Sequence, residues 1–162
     1  MTNSTFDTLK KLVSICLLKV EDAHSVYRLI DESRSQLKNL VWSQTATLES
    51  TTNFIDYKIK SPDNIYGIYS DDNLVGVLEL RKKQDMLELG YWVGSKYRGQ
   101  GFMKIAVKQL VDIESKNYTI TAHIREKNQA SYKILQYAGL IFDHVELWEG
   151  EQWVHLKREK NT

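Results

Sequence analysis

Gly90-Tyr91-Trp92-Val93-Gly94-Ser95-Lys96-Tyr97-Arg98-Gly99-Gln100-Gly101-Phe102-Met103 constrains the fold more than any other stretch of this chain. Upstream, Met86 to Val93 reads as a strand, with Leu87, Leu89, Tyr91 and Val93 on one face and Glu88, Gly90 and Trp92 on the other. Downstream, Ile105, Ala106, Leu110, Val111 and Ile113 recur at helical spacing to about Glu114. A strand must therefore end in a turn bearing Gly99 and Gly101, and a long helix must start at once. Such a junction is chemically useful. A helix N-terminus leaves N–H donors unpaired and carries partial positive charge. That combination holds a pyrophosphate or a similar anion. Glycine lets the backbone approach the ligand closely, and Arg98 adds positive charge beside it. The segment lacks the Gly-Lys-Ser/Thr of a P-loop and the third glycine of a dinucleotide fingerprint.

The rest of the chain reads as a mixture of helices and strands. Leu12 to Val20 is expected as a strand, and Asp22 to Arg34 as a helix with Ala23, Val26, Tyr27 and Ile30 at helical spacing. Leu48 to Ile59 is expected as a second helix with Phe54, Ile55 and Ile59 inward. Pro62 marks the following loop. Ile65 to Tyr69 and Leu74 to Leu80 form a hairpin around Ser70-Asp71-Asp72-Asn73. Tyr118 to Ile124 is a strand, and Asn128 to Ala138 a helix stopped by Gly139. Ile141 to Trp148 and Gln152 to Leu156 close the chain as a hairpin around Glu149-Gly150. This order predicts an α+β sandwich. The 162 residues suit a single domain spanning 1–162.

Composition narrows the functional classes. A net charge of +1 gives no general attraction to nucleic acid or to an anionic membrane. No stretch is long and apolar enough to be a membrane-spanning helix. Asp7 and the short apolar run after Lys10-Lys11 make a poor signal peptide, so a cytoplasmic location is expected. Cys16 is the single cysteine, excludes an intrachain disulfide, and reads as plain core. His24, His144 and His155 show no ligand-like spacing, so no metal is expected.

Arg98-Gly99-Gln100-Gly101-Phe102-Met103 resembles the pyrophosphate loop of the Gcn5-related (GNAT) N-acetyltransferases, Arg/Gln-x-x-Gly-x-Gly/Ala, with Met103 at the last position. Glu88-Leu89-Gly90-Tyr91-Trp92-Val93 resembles the Glu-Ile-Gly-Tyr-Trp strand of the RimJ/RimL-type branch. Asn128-Gln129-Ala130-Ser131, continuing to Gly139-Leu140, looks like that branch's Asn-x-x-Ser…Gly-Phe helix. Arg34-Ser35-Gln36-Leu37 and Trp42 resemble its substrate-side helix and loop. The likeness runs from about Leu12 to Lys157.

The resemblance implies a mixed, mostly antiparallel sheet flanked by helices, with two strands splayed into an acetyl-CoA groove. It implies that Trp92 and Val93 bond the pantetheine arm. The pyrophosphate would rest on Arg98, Gly99, Gln100, Gly101, Phe102 and Met103, and Asn128 would bond the cofactor arm. Ser131 would lie near the sulfur. Relatives in the branch are often dimers, which makes a homodimer an expectation here.

The chemistry demands a neutral amine and a stabilised leaving thiolate. An α-amine, with a pKa near 8, needs little help; a lysine amine near 10.4 needs more. Glu88 is the candidate proton acceptor, with Glu79 a weaker one and a salt-bridged strand glutamate the plain alternative. Ser131 is the candidate donor to the sulfur, and a helix-terminus serine is its plain alternative. Asn128 also suits an N-cap. Some relatives carry a tyrosine acid where this chain has Leu135. His123 alternates away from Ile120, Ala122 and Ile124 and is a candidate to face the groove, with a structural strand histidine its plain alternative. Trp42, Trp148 and Trp153 could wall the acceptor site, with core packing expected for at least one. The expected acceptor is a peptide or protein N-terminal α-amine, as in ribosomal-protein acetylation. A small-molecule amine or antibiotic is the alternative, and a non-catalytic acyl-CoA sensor is a further one.

Overall fold

Seven strands run along the chain: β1 (Val13–Leu17), β2 (Asn64–Ser70), β3 (Asn73–Lys83), β4 (Met86–Val93), β5 (Thr119–Arg125), β6 (Ile141–Trp148) and β7 (Glu151–Arg158). In the computed structural model, which describes residues 12–162, they form one sheet ordered β1-β2-β3-β4-β5-β7-β6. Pairing is antiparallel in β1–β2, β5–β7 and β6–β7, and parallel where β4 meets β5. Five α-helices that lie wholly within the described residues accompany the sheet: α1 (Ala23–Ser33), α2 (Val41–Thr45), α3 (Leu48–Lys60), α4 (Phe102–Glu114) and α5 (Gln129–Tyr137). This is the expected mixed α+β sheet. The N-terminal run with Asp7 and Lys10-Lys11 lies outside the described residues.

The chain divides into two compact units. The first comprises residues up to Glu79 together with Tyr91–Met103. Its core gathers Leu18, Ala23, Val26, Leu29, Ile30, Ile55, Ile65, Leu74 and Val77. Thr47 starts α3 by a reciprocal cap: its Oγ1 accepts from the Ser50 N–H at 3.0 Å, and Ser50 Oγ accepts from the Thr47 N–H at 2.9 Å. The buried stripe of α3 is Thr51, Ile55 and Lys58. Phe54 and Ile59, expected inward, flank that stripe on either side and are 45% and 48% exposed. Cys16 is exposed as well, correcting its expected burial. On β1 the alternation turns Val13 inward and Ser14 and Cys16 outward, which a continuous apolar run does not reveal.

Helix α2 was not expected. Five residues are too few to show a period. Arg34 holds it from outside, donating to the carbonyl of Ser43 and, at 2.7 Å, to that of Ala46.

The second unit comprises Leu80–Gly90 and Lys104–Thr162. Ile105, Ala106, Leu110 and Val111 of α4 are buried as expected, whereas Ile113, one residue from the helix end, is exposed. Helical spacing gives a side chain's direction but not how far the packing layer extends. Gly139, at φ 86°, ends α5. The Leu140 N–H donates to Leu135 O at 3.0 Å and the Gly139 N–H to Gln136 O at 2.9 Å, the paired bonds of a Schellman stop. Glu149 and Gly150, both at positive φ, make the two-residue turn between β6 and β7. No described helix is long and apolar enough to cross a membrane.

Candidate active site

In the first unit, β4 ends at Val93 and hands over to a turn pinned on the C-terminal end of α1. Gly94 donates to Val75 O at 2.9 Å, and a Cβ there would collide with Leu29. The Ser95 N–H donates to Ser33 Oγ at 2.9 Å, and Lys96 pairs with Glu32 at 2.9 Å. Arg98 Nη2 donates to Gln36 O at 3.0 Å, and Gln100 Nε2 to Lys96 O at 2.8 Å. Gly99 and Gly101 have φ of 72° and 86°. A Cβ at either would meet no atom within 4 Å, so backbone torsion demands glycine there, not crowding. Helix α4 begins directly afterwards at Phe102, where its first N–H groups lack helical partners.

Phe102 and Met103 are buried, so the groups they offer a ligand are main-chain N–H donors. The departure at Met103 has a compensation. A Cβ built on Gly76 would lie 2.9 Å from Met103 Cε, so the absent side chain of Gly76 makes room for methionine. Trp92 packs partly buried against the core and meets Trp42 edge-on at 6.0 Å. Val93 is half-buried. Glu79, the weaker base candidate, is held by the Lys58 ammonium.

In the second unit, β4 is registered to β5 by Met86, Leu87 and Glu88 against Thr119, Ile120 and Thr121. Leu87 and Leu89 point into the core, leaving Glu88 on the other face as expected. Its Oε1 accepts from Arg81 Nε at 2.7 Å. Its Oε2 lies 3.6 Å from His123 Nδ1. Glu88 is thus both salt-bridged and set against an imidazole. A Cβ on Gly90 would stand 3.3 Å from the Arg81 guanidinium, so this glycine gives that arginine its place.

Burial holds the His123 imidazolium below its ordinary pKa; Glu88 opposes that shift, and the Arg81 charge adds to it. That shift favours the neutral imidazole. Proton titration of His123 by NMR should show opposite responses. Glu88→Gln lowers its pKa further, because the stabilising charge is gone. Arg81→Met raises it. Equal shifts in one direction would contradict this assignment.

Asn128 is the N-cap of α5, its Oδ1 accepting from the Ser131 N–H at 3.2 Å. Ser131 is half-buried in the first turn. Leu135 is fully buried, so that position offers no acid. None of Trp42, Trp148 and Trp153 belongs to the buried core, correcting the expectation for at least one. Trp148 and Trp153 instead line an open cleft with Arg125, Glu149 and Glu151.

The structure also joins residues that spacing kept apart. His123 stands opposite His155 across β5–β7, and His155 opposite His144 across β7–β6. The register after Phe142 shifts at a bulge, which aligns His144 with His155. No sequence period carries that information.

Comparison with known proteins places this geometry. The model of the acetyltransferase (GNAT) domain matches residues 15–141. Among curated protein sequences none matches the chain. The solved structure of RimL, a ribosomal L7/L12 α-N-protein acetyltransferase in complex with coenzyme A, superposes with a TM-score of 0.83 at 17% identity, over 91% of this chain and 94% of that one. The microcin C7 self-immunity acetyltransferase MccE, in complex with acetyl-CoA and AMP, gives 0.78 at 16% identity, over 93% and 94%. A chimera of the spermidine N-acetyltransferase SpeG from Vibrio cholerae gives 0.78 at 14% identity, over 92% and 96%. At these identities the likenesses establish the fold, while the family match covers most of the sequence and runs through both compact units. The chain belongs to the GNAT acetyltransferase family and is an N-acetyltransferase.

Proposed function

We propose that this enzyme moves the acetyl group of acetyl-CoA directly to the N-terminal α-amine of a peptide or protein in the cytoplasm, acting as a single domain. The observation that carries the reading is the turn at 98–103: two glycines at positive φ, an anchored arginine and a helix start. Those features suit a pyrophosphate. The main-chain N–H groups from Gly99 to Met103 would hold the diphosphate, with Arg98 as counter-charge. Trp92 and Val93 supply strand backbone to the pantetheine arm, and Asn128 its remaining amide donors. Glu88, with His123 beside it, accepts the proton of the incoming ammonium. Ser131 donates a hydrogen bond to the departing sulfur; a hydroxyl is too weak an acid to give its proton outright.

An α-amine fits this modest base better than a lysine amine does, because about a tenth of it is already neutral near pH 7. The ribosomal-protein α-N-acetyltransferase in the comparison supports the same acceptor class. A homodimer is part of this proposal by family likeness alone.

One observation favours a second reading. The cleft of Arg125, Trp148, Glu149, Glu151 and Trp153 offers a small cationic amine Trp148 and Glu149, while Arg125 already pairs with Glu151 at 2.7 Å and lies over Trp153. Thiol release with Ser- or Ala-starting peptides, measured beside spermidine and aminoglycosides, separates the two. Peptides should be the faster acceptors, and faster release with the small amines would sink the first reading. With the better acceptor, Glu88→Gln should lower kcat about 100-fold, and Ser131→Ala about 10-fold. Unchanged kcat in both would remove these residues from the mechanism.

A further inference from the structure

The face of the β5–β7–β6 strands that carries His123 holds a row of histidines, and acetyl transfer assigns no work to those beyond His123. His144 and His155 are cross-strand partners whose rings stack at 4.3 Å with an interplanar angle of 10°. Glu146, two residues along β6, projects from the same face, with Oε2 3.0 Å from His155 Nε2. One potential ligand atom from each of His144, Glu146 and His155 lies within 4.8 Å of the others. Among the described residues this is the one such group of three.

We propose that His144, Glu146 and His155 form a binding site for a first-row divalent transition ion of the Zn2+ type. Two imidazoles and a carboxylate are the donor set that such an ion prefers, whereas Mg2+ and Ca2+ prefer oxygen alone. Ligands at about 2.0–2.2 Å around a tetrahedral centre stand about 3.3–3.6 Å apart. Binding requires the stacked imidazoles to rotate apart so that each aims a ring nitrogen at the ion in its own plane, and two of the three side chains are more than half exposed. A water would complete the fourth position.

The surroundings favour binding. Asp143 Oδ2 lies 2.8 Å from His144 Nδ1. A carboxylate there fixes the tautomer that leaves Nε2 as the ligand atom and makes the ring more basic. Lys157 lies on the far side of Asp143, at 3.5 Å. The bulge that shifts the register between Phe142 and His144 sets this alignment, so the site is written into the local backbone. An ion bridging β6 and β7 would tie the outermost strand, exposed along its whole length, to its neighbour. The proposal does not depend on which amine the enzyme acetylates.

Calorimetric titration of the full chain with Zn2+ should show one saturable site per chain. Zn2+ at about a hundred times its Kd should raise Tm by roughly 5–10 °C. His144→Gln and Glu146→Gln should each weaken binding about tenfold or more, with unchanged melting in chelator. Asp143→Ala, which removes only the orienting carboxylate, should weaken it about tenfold. Substituted Co2+ should give a spectrum without a thiolate-to-metal band. Absence of saturable binding, or an affinity unchanged by both His144→Gln and Glu146→Gln, would overturn the site. A thiolate band would place the ion at Cys16 and overturn it equally.

Discussion

Gly101→Val should weaken acetyl-CoA binding about 10- to 100-fold while lowering Tm by no more than about 4 °C. Gly101 sits at φ 86°, where a β-branched residue is disfavoured by about 1–3 kcal/mol. Nothing lies within 4 Å of the added Cβ, so the substitution creates strain without a clash. The chain can shed that strain by leaving the left-handed conformation, at little cost to folding. The N–H groups that should converge on the diphosphate are then misdirected. A graded series follows from the same cause. Gly101→Asn should be mildest, since asparagine tolerates this region, Gly101→Ala intermediate and Gly101→Val worst. Binding by Gly101→Val equal to that of the parent would remove the turn from cofactor recognition.

The largest effect on stability is expected at Lys58. Its ammonium lies between Asp63, at 2.7 Å, and Glu79, and all three side chains are at most 16% exposed. Lys58→Ala leaves two carboxylates without their cation and should cost about 3 kcal/mol, a Tm drop of roughly 6–12 °C. The pH dependence has a definite sign. Burial alone would lower the lysine pKa, but hydrogen bonds to Asp63 and Glu79 outweigh it and hold the value above the ordinary one. The contribution is therefore complete below the unfolded value of about 10.4 and fades as pH rises through the folded one. Lys58→Ala should lack this alkaline component. A loss under about 0.5 kcal/mol would show that the triad is mere surface pairing.

Lys58 also explains why Glu79 and Glu88, alike in sequence as glutamates on neighbouring strands, differ in chemistry. Glu79 answers to a lysine from α3, a partner 21 residues away that no local pattern announces. Glu88 answers to Arg81 across the β3–β4 turn and to His123 on β5.

What could be read from sequence was local. β4 and β6 have the expected bounds because turn-forming residues flank both, Gln84-Asp85 and Gly94 for the one, Gly139 and Glu149-Gly150 for the other. The stop at Gly139 and the cap at Asn128 follow from backbone needs of single residues. The turn at Arg98–Met103 was legible because glycine spacing before a helical period has few other solutions. The rest depended on tertiary context. Helix α2 exists through carbonyl bonds to Arg34. Met103 is accommodated because Gly76, on another strand, lacks a side chain. The histidine row needs a bulge near Asp143, and a shift of one residue would have turned His144 to the opposite face.

The central claim is that residues 98–103 are a cofactor site and not only a turn. Calorimetric titration of the full chain with acetyl-CoA tests it most directly. The account predicts saturable one-to-one binding in the micromolar range, abolished by Arg98→Glu, followed by thiol release once an amine acceptor is added. A flat titration, or binding indifferent to Arg98→Glu and Gly101→Val alike, would contradict it.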